Sequence, residues 1–137
     1  VKFKFYPAGN GGARLPLHHF IAMSEDCLFC KILKGQIPSQ KVQEDDSVYA
    51  FRDINPQAPM HVLVIPKEHI PSLNELEPKH DALMGHVARV AAEIAKKEGH
   101  GEKGYRLAFN CQSGAGQTVF HLHAHVLGGR RFAWPPG

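Results

Sequence analysis

The chain has no long hydrophobic run: nothing in its 137 residues approaches the roughly 18 consecutive apolar residues of a membrane helix. No membrane partner is therefore expected. Cysteine is scarce, with only Cys27, Cys30 and Cys111 present. An odd number cannot all pair, and the C-x-x-C spacing of the first two is not a disulfide framework. It points instead to metal or redox use in a reducing compartment, so a cytoplasmic location is expected, with an organelle as the alternative. Acids are missing from residues 1–22, which hold Lys2, Lys4 and Arg14. The other 115 residues carry the remaining 13 of the 16 bases against all 13 acids. That zero balance argues against a partner made of polymeric nucleic acid, which needs a basic face, but leaves a single nucleotide open.

What is present has the composition of one globular domain, 43% hydrophobic and 21% charged, long enough to bury a core without disulfides. Residues 1–22 are Gly-rich in the middle and weakly periodic, and they run into Met23. They are read as an N-terminal extension appended to a domain spanning 23–137. A processed targeting segment or native tail is the rival reading.

CLFCKILKGQIPS has the pattern of a short helix, apolar at Leu28, Phe29, Ile32 and Leu33 and stopped by Gly35 and Pro38. VQEDDSVYAFRD predicts two short strands about an Asp-Asp-Ser turn, the second being Val48 to Arg52. HVLVIP is a central strand closed by Pro66. From Pro78 to Glu98 the positions Leu83, Val87, Val90, Ala91 and Ile94 recur at helical spacing. YRLAFN and TVFHLHAHVLGG alternate as strands around the loop CQSGAGQ. One long and one short helix against about five strands, partly hairpin-linked, give an α+β class with an antiparallel sheet.

In a strand His121, His123 and His125 point to one side, with the outer two ~13 Å apart at the backbone. Two neighbours can share one zinc, whereas all three would need marked bending. The spacing favours a division of labour, with the middle ring for chemistry and the outer rings orienting it or binding elsewhere. A solvated, His-rich face is the plain alternative. The preceding SGAGQT loop supplies glycines that permit positive φ, Gly114 and Gly116, and donors at Ser113, Gln117 and Thr118. Alone it is an ordinary turn. Beside three histidines it becomes an anion cradle, and a neutral imidazole next to a phosphate is a nucleophile.

HLHAHVL resembles the His-x-His-x-His-x-x pattern of the histidine triad (HIT) superfamily. The resemblance extends in order through CLFCKILKGQIPS, FRDINPQAPMHVLVIPKEHI, NCQSGAGQTVFHLHAHVLGG and WPPG, over residues 27–137. The WPPG ending resembles the HINT-like branch, whose members are dimeric purine nucleoside phosphoramidases acting through a nucleotidyl-histidine. The resemblance implies a HIT-like fold, a homodimer, a purine nucleotide or nucleoside phosphoramidate substrate, and His123 as nucleophile. It implies that His125 and His61 orient and tune that residue, and that His121 lies near the leaving group. Asn110, Gly116, Gln117 and Thr118 would surround the α-phosphate together with His123 and His125. Asp53 would accept the ribose hydroxyls. Phe29, Ile32, Phe51 and Ile54 would line the base pocket, although their pattern alone reads as core. Trp134 would reach the partner subunit's site, or else anchor a loose terminus.

A redox C-x-x-C belongs in a βαβ setting that this pattern lacks. Tetrahedral zinc needs two ligands beyond Cys27 and Cys30, and imidazole suits it. Resemblance to microbial HIT proteins implies His69 and His121, with the zinc structural and His121 then outside the catalytic group. Free semi-buried thiols are the alternative. Other readings left open are a dinucleoside polyphosphate hydrolase or nucleotidyl transferase, and a nucleotide-binding regulatory scaffold.

Overall fold

The computed structural model describes residues 24–137, so the expected N-terminal extension lies outside the described residues. Its strands are β1 (Lys41–Glu44), β2 (Val48–Arg52), β3 (Met60–Pro66), β4 (Tyr105–Ala108) and β5 (Ala124–Gly128), and its helices are α1 (Leu28–Leu33) and α2 (Asp81–Lys97). The sheet is antiparallel throughout, in the order β1-β2-β3-β5-β4. This is the α+β architecture expected, with one long and one short helix.

β3 is apolar at nearly every position because both of its faces are covered. Val62 and Val64, with Ala50, Ala124 and Val126, pack on Val87, Val90, Ala91 and Ile94 of α2. Leu63 and Ile65 turn the other way, onto Phe51 and the α1 residues Phe29, Cys30 and Ile32. Each large aliphatic side chain buried on α2 contributes about 1.5–3 kcal/mol. α2 has Asp81 in its first turn and Lys96 and Lys97 in its last, charges that complement its dipole. Leu28, counted with the apolar face of α1 in the sequence, is exposed.

The strand expected from Thr118 begins only at Ala124. β3 continues to Pro66 in its pairing with β2, but toward β5 Pro66 offers no N–H and its carbonyl is bonded to the His121 Nε2 at 2.7 Å. The chain before Ala124 bonds elsewhere, with the Leu122 N–H donating to the Ile70 carbonyl at 2.7 Å. Side-chain alternation survives the loss of the ladder: Leu122 and Ala124 go to the interior, and the three histidine rings stay on the α1 side of the sheet.

Candidate active site

The register Leu63↔His125 and His61↔Leu127 sets His61 diagonal to His125 on one face. Their rings meet at His61 Nε2···His125 Nδ1, 2.9 Å. The proton positions follow from the partners. The Gln57 N–H donates to His61 Nδ1 at 3.0 Å, so a neutral His61 carries its proton on Nε2. That proton goes to His125 Nδ1, and His125 is left with its own on Nε2. His123 is turned the other way round: its Nδ1–H donates to the His121 carbonyl at 2.7 Å, which leaves Nε2 with a bare lone pair. The His123 and His125 ring centroids are 4.9 Å apart, and Phe29 stands edge-on to His123 at 5.2 Å. One basic nitrogen and one N–H thus arise on adjacent rings.

Burial favours the neutral form of every one of these rings. It lowers the His123 pKa against the pull of the His121 carbonyl and Asp53. His61 is lowered in the same way, with Asp53 opposing. His125 falls to about 4, through burial and then through the neighbouring His123 and His61. Asp53 Oδ2 lies 3.4 Å from His61 Nε2, while Oδ1 accepts the Asn55 N–H at 2.8 Å.

The glycine loop is built differently from its sequence expectation. Gln117 is buried; its Oε1 accepts the Gln112 N–H at 2.8 Å, and its Nε2 donates to the Pro71 and Val119 carbonyls at 2.8 and 3.1 Å. A side chain so occupied has no donor for a phosphate. In this structure the Gln117 amide shapes the loop. Asn110 and Thr118 make no side-chain hydrogen bond among the described residues and remain available, as does the turn closed by Gly116 at φ +89. Gln112, which the sequence reading passed over, sits at φ 69, ψ 172, a region almost reserved for glycine and costing a bulkier residue about 1–3 kcal/mol. Gln117 and the bond from Gln112 Nε2 to Ser72 Oγ, 3.2 Å, hold it there. No pattern in the sequence marks it, because the strain exists only once the loop is closed.

On the other side of His121 lies a four-residue cluster, Cys27, Cys30, His69 and His121. Cys27 Sγ and Cys30 Sγ lie 3.5 and 3.6 Å from His121 Nδ1, Cys30 Sγ is 3.4 Å from His69 Nδ1, and the two Nδ1 atoms are 3.2 Å apart. A zinc tetrahedron with the usual Zn–S and Zn–N bonds has edges of about 3.3–3.8 Å. The donor set fits that ion. The fit extends one step outward, since the His121 Nε2–H donates to the Pro66 carbonyl and so turns the bare Nδ1 toward the sulfurs. Burial pushes the Cys30 thiol up to about 11, with Cys27 adding to the rise and the Ser24 N–H opposing it. His121 is 0% exposed with both nitrogens engaged. That setting puts His121 with the candidate metal ligands, the part that resemblance to microbial HIT proteins implies for it.

Residues 34–132 match the HIT domain family. The chain belongs to the HIT family. The purine nucleoside phosphoramidase of Escherichia coli K12 is 49% identical over 108 residues, covering 79% of this chain and 91% of that protein. A 14 kDa zinc-binding protein of Zea mays is 48% identical over 112 residues, 80% of this chain and 87% of that one. Among solved structures, a HIT family hydrolase from Legionella pneumophila is 51% identical with a TM-score of 0.80, covering 82% of this chain and all of that one.

In this HIT chain three of the four hydrophobes expected at the base pocket, Phe29, Ile32 and Phe51, pack in the core beneath the histidines. Ile54 stands apart, 99% exposed in the loop after Asp53. Trp134 is 83% exposed, so within one chain it packs as no anchor. The part that sequence reasoning missed is main-chain and remote: the Gln57 N–H, the Pro66 and His121 carbonyls, Ser72 and Gln112.

Proposed function

We propose that this HIT protein is a purine nucleoside phosphoramidase, hydrolysing the P–N bond of nucleoside 5′-phosphoramidates through a nucleotidyl-histidine. The observation that carries the reading is the pairing of opposite tautomers, a bare Nε2 on His123 beside an Nε2–H on His125. The name of the E. coli relative supports it. His123 Nε2 attacks phosphorus and forms a P–N bond to the ring. The substrate P–N bond breaks, and its electron pair leaves on the amine, which takes the His125 Nε2 proton. Water then attacks phosphorus, returns one proton to His125, and the P–Nε2 bond breaks to release the nucleotide. Amine and nucleoside monophosphate are the products.

Asp53 accepts from the ribose hydroxyls, Asn110 and Thr118 donate to phosphate oxygens, and the active species is a homodimer in which Trp134 reaches the partner's site. Cys27, Cys30, His69 and His121 would hold zinc, and a closed set of protein ligands would make its role to tie α1 to the triad segment and not to react. The test compares turnover of an AMP–amine conjugate and a diadenosine polyphosphate by pure protein. The conjugate should be the far better substrate, and the reverse order overturns the reading.

A further inference from the structure

After β5 the chain crosses back over the loop that carries Asp53. Gly129 permits the crossing: its φ is +91, and a Cβ there would stand 2.9 Å from Pro59 Cβ. Arg130 follows. Its Nε–H donates to the Gln57 carbonyl at 2.8 Å, its Nη1–H to the Arg131 carbonyl at 3.1 Å, and its guanidinium lies 4.3 Å from the centre of the Phe132 ring. Phe132 is held in turn by Arg106, 5.2 Å from the ring centre and bonded to the Ala133 carbonyl at 2.9 Å. The loop's other side-chain bonds are internal, Asn55 to Asp53 and Gln57 to Asn55. Among the described residues, Arg130 is the one side chain from outside Asp53–His61 that bonds to residues 54–58.

We propose that Arg130 is a positioning residue for the His61–His125 pair, holding Gln57 so that its N–H stays on His61 Nδ1. The consequence for chemistry follows from proton counting. Without that N–H, the Nδ1–H form of His61 is no longer blocked and competes with the Nε2–H form, which Asp53 Oδ2 at 3.4 Å still favours. The bare Nε2 of the Nδ1–H form would then face His125 Nδ1 lone pair to lone pair at 2.9 Å. The repulsion is relieved when His125 moves its proton to Nδ1, which strips Nε2 of the proton needed by the leaving amine. A residue at the far end of the chain thus sets the tautomer two rings away. The catalytic half of this inference rests on the reading of His125 under Proposed function; the tautomer half does not.

The experiment uses the full chain as wild type, R130A, R130K and K103A. Lys103 lines the same surface cleft as Arg130, so K103A removes a nearby charge without touching the relay. Nitrogen-15 spectra of the imidazoles, recorded without substrate, should show His61 and His125 as Nε2–H tautomers in wild type and K103A. R130A should show a mixture with the Nδ1–H form, and R130K, which keeps an N–H donor, should lie close to wild type. In hydrolysis of an AMP–amine conjugate, R130A should lower kcat about tenfold, a fraction of what general acid catalysis supplies, with KM changed by less than about twofold. A wild-type imidazole spectrum in R130A overturns the proposal, whatever happens to kcat. If the spectrum shifts while wild type proves inactive on the conjugate, the positioning role stands and the proposed substrate falls.

Discussion

At the scale of single residues, three histidines that look equivalent in HLHAHVL stand in three different settings. His123→Ala should abolish turnover, a loss of at least about a thousandfold as expected for a nucleophile, while a nucleotide still binds in calorimetry. Unchanged turnover would remove the assignment. Asp53→Ala should weaken a ribonucleotide more than its 2′,3′-dideoxy analogue, and equal losses would end the claim of a sugar contact. The place of the middle ring between like neighbours is legible in the sequence, because the period of two sets it there; its part as nucleophile is the proposal. For His121 the sequence leaves two parts open, leaving-group neighbour and zinc ligand. That ring is set by Pro66, Cys27 and Cys30, and its distance from the cysteines closes only in the fold.

At the scale of elements, α1 and the two turns carry testable energies. Cys27 both caps α1, its Sγ accepting the Cys30 N–H at 3.4 Å, and faces the histidine cluster. Cys27→Ser should lower zinc content and melting temperature together; a full complement of zinc at unchanged melting temperature would contradict the cluster's role. Gln117→Met should cost about 1–3 kcal/mol in urea unfolding, since it leaves a Gln112 N–H in a strained loop without its acceptor. The β1–β2 turn supplies a pH test. Burial works against the charge on Asp45, but the N–H groups of Ser47 and Val48 and the ring of His86 outweigh it and bring the pKa down to about 2. A folded pKa below the unfolded value of roughly 3.9 stabilises above that value and is lost as pH falls toward 2. The melting-temperature gap between wild type and Asp45→Asn should therefore be widest above about pH 4 and close near pH 2. Screening at this partly open site keeps the gap below about 1 kcal/mol. These elements were largely readable: the Asp-Asp-Ser turn, the continuous run of β3 and the stripe of α2 each follow from a local pattern. The late start of β5 is not, because it depends on the bonds of His121 to Pro66 and of Leu122 to Ile70.

At the scale of the whole molecule, the exposed Trp134 is, with Ile54, a feature a single chain leaves unexplained. In the proposed homodimer, Trp134→Ala should change the relative turnover of conjugates with different amines while sedimentation still reports a dimer. An unaltered preference would detach the tail from the site. The order of the sheet was beyond the sequence, since nothing local says that β5 inserts between β3 and β4. Only that insertion brings His61 and His125 together across 64 residues of sequence.

The most direct test of the central claim is to quench the protein during turnover of an AMP–amine conjugate and sequence its peptides by mass spectrometry. The account predicts a nucleotidyl group on the His123 ring, absent from His123→Ala. A covalent nucleotide on His125, or product formed at full rate with no adduct on any histidine, would contradict it.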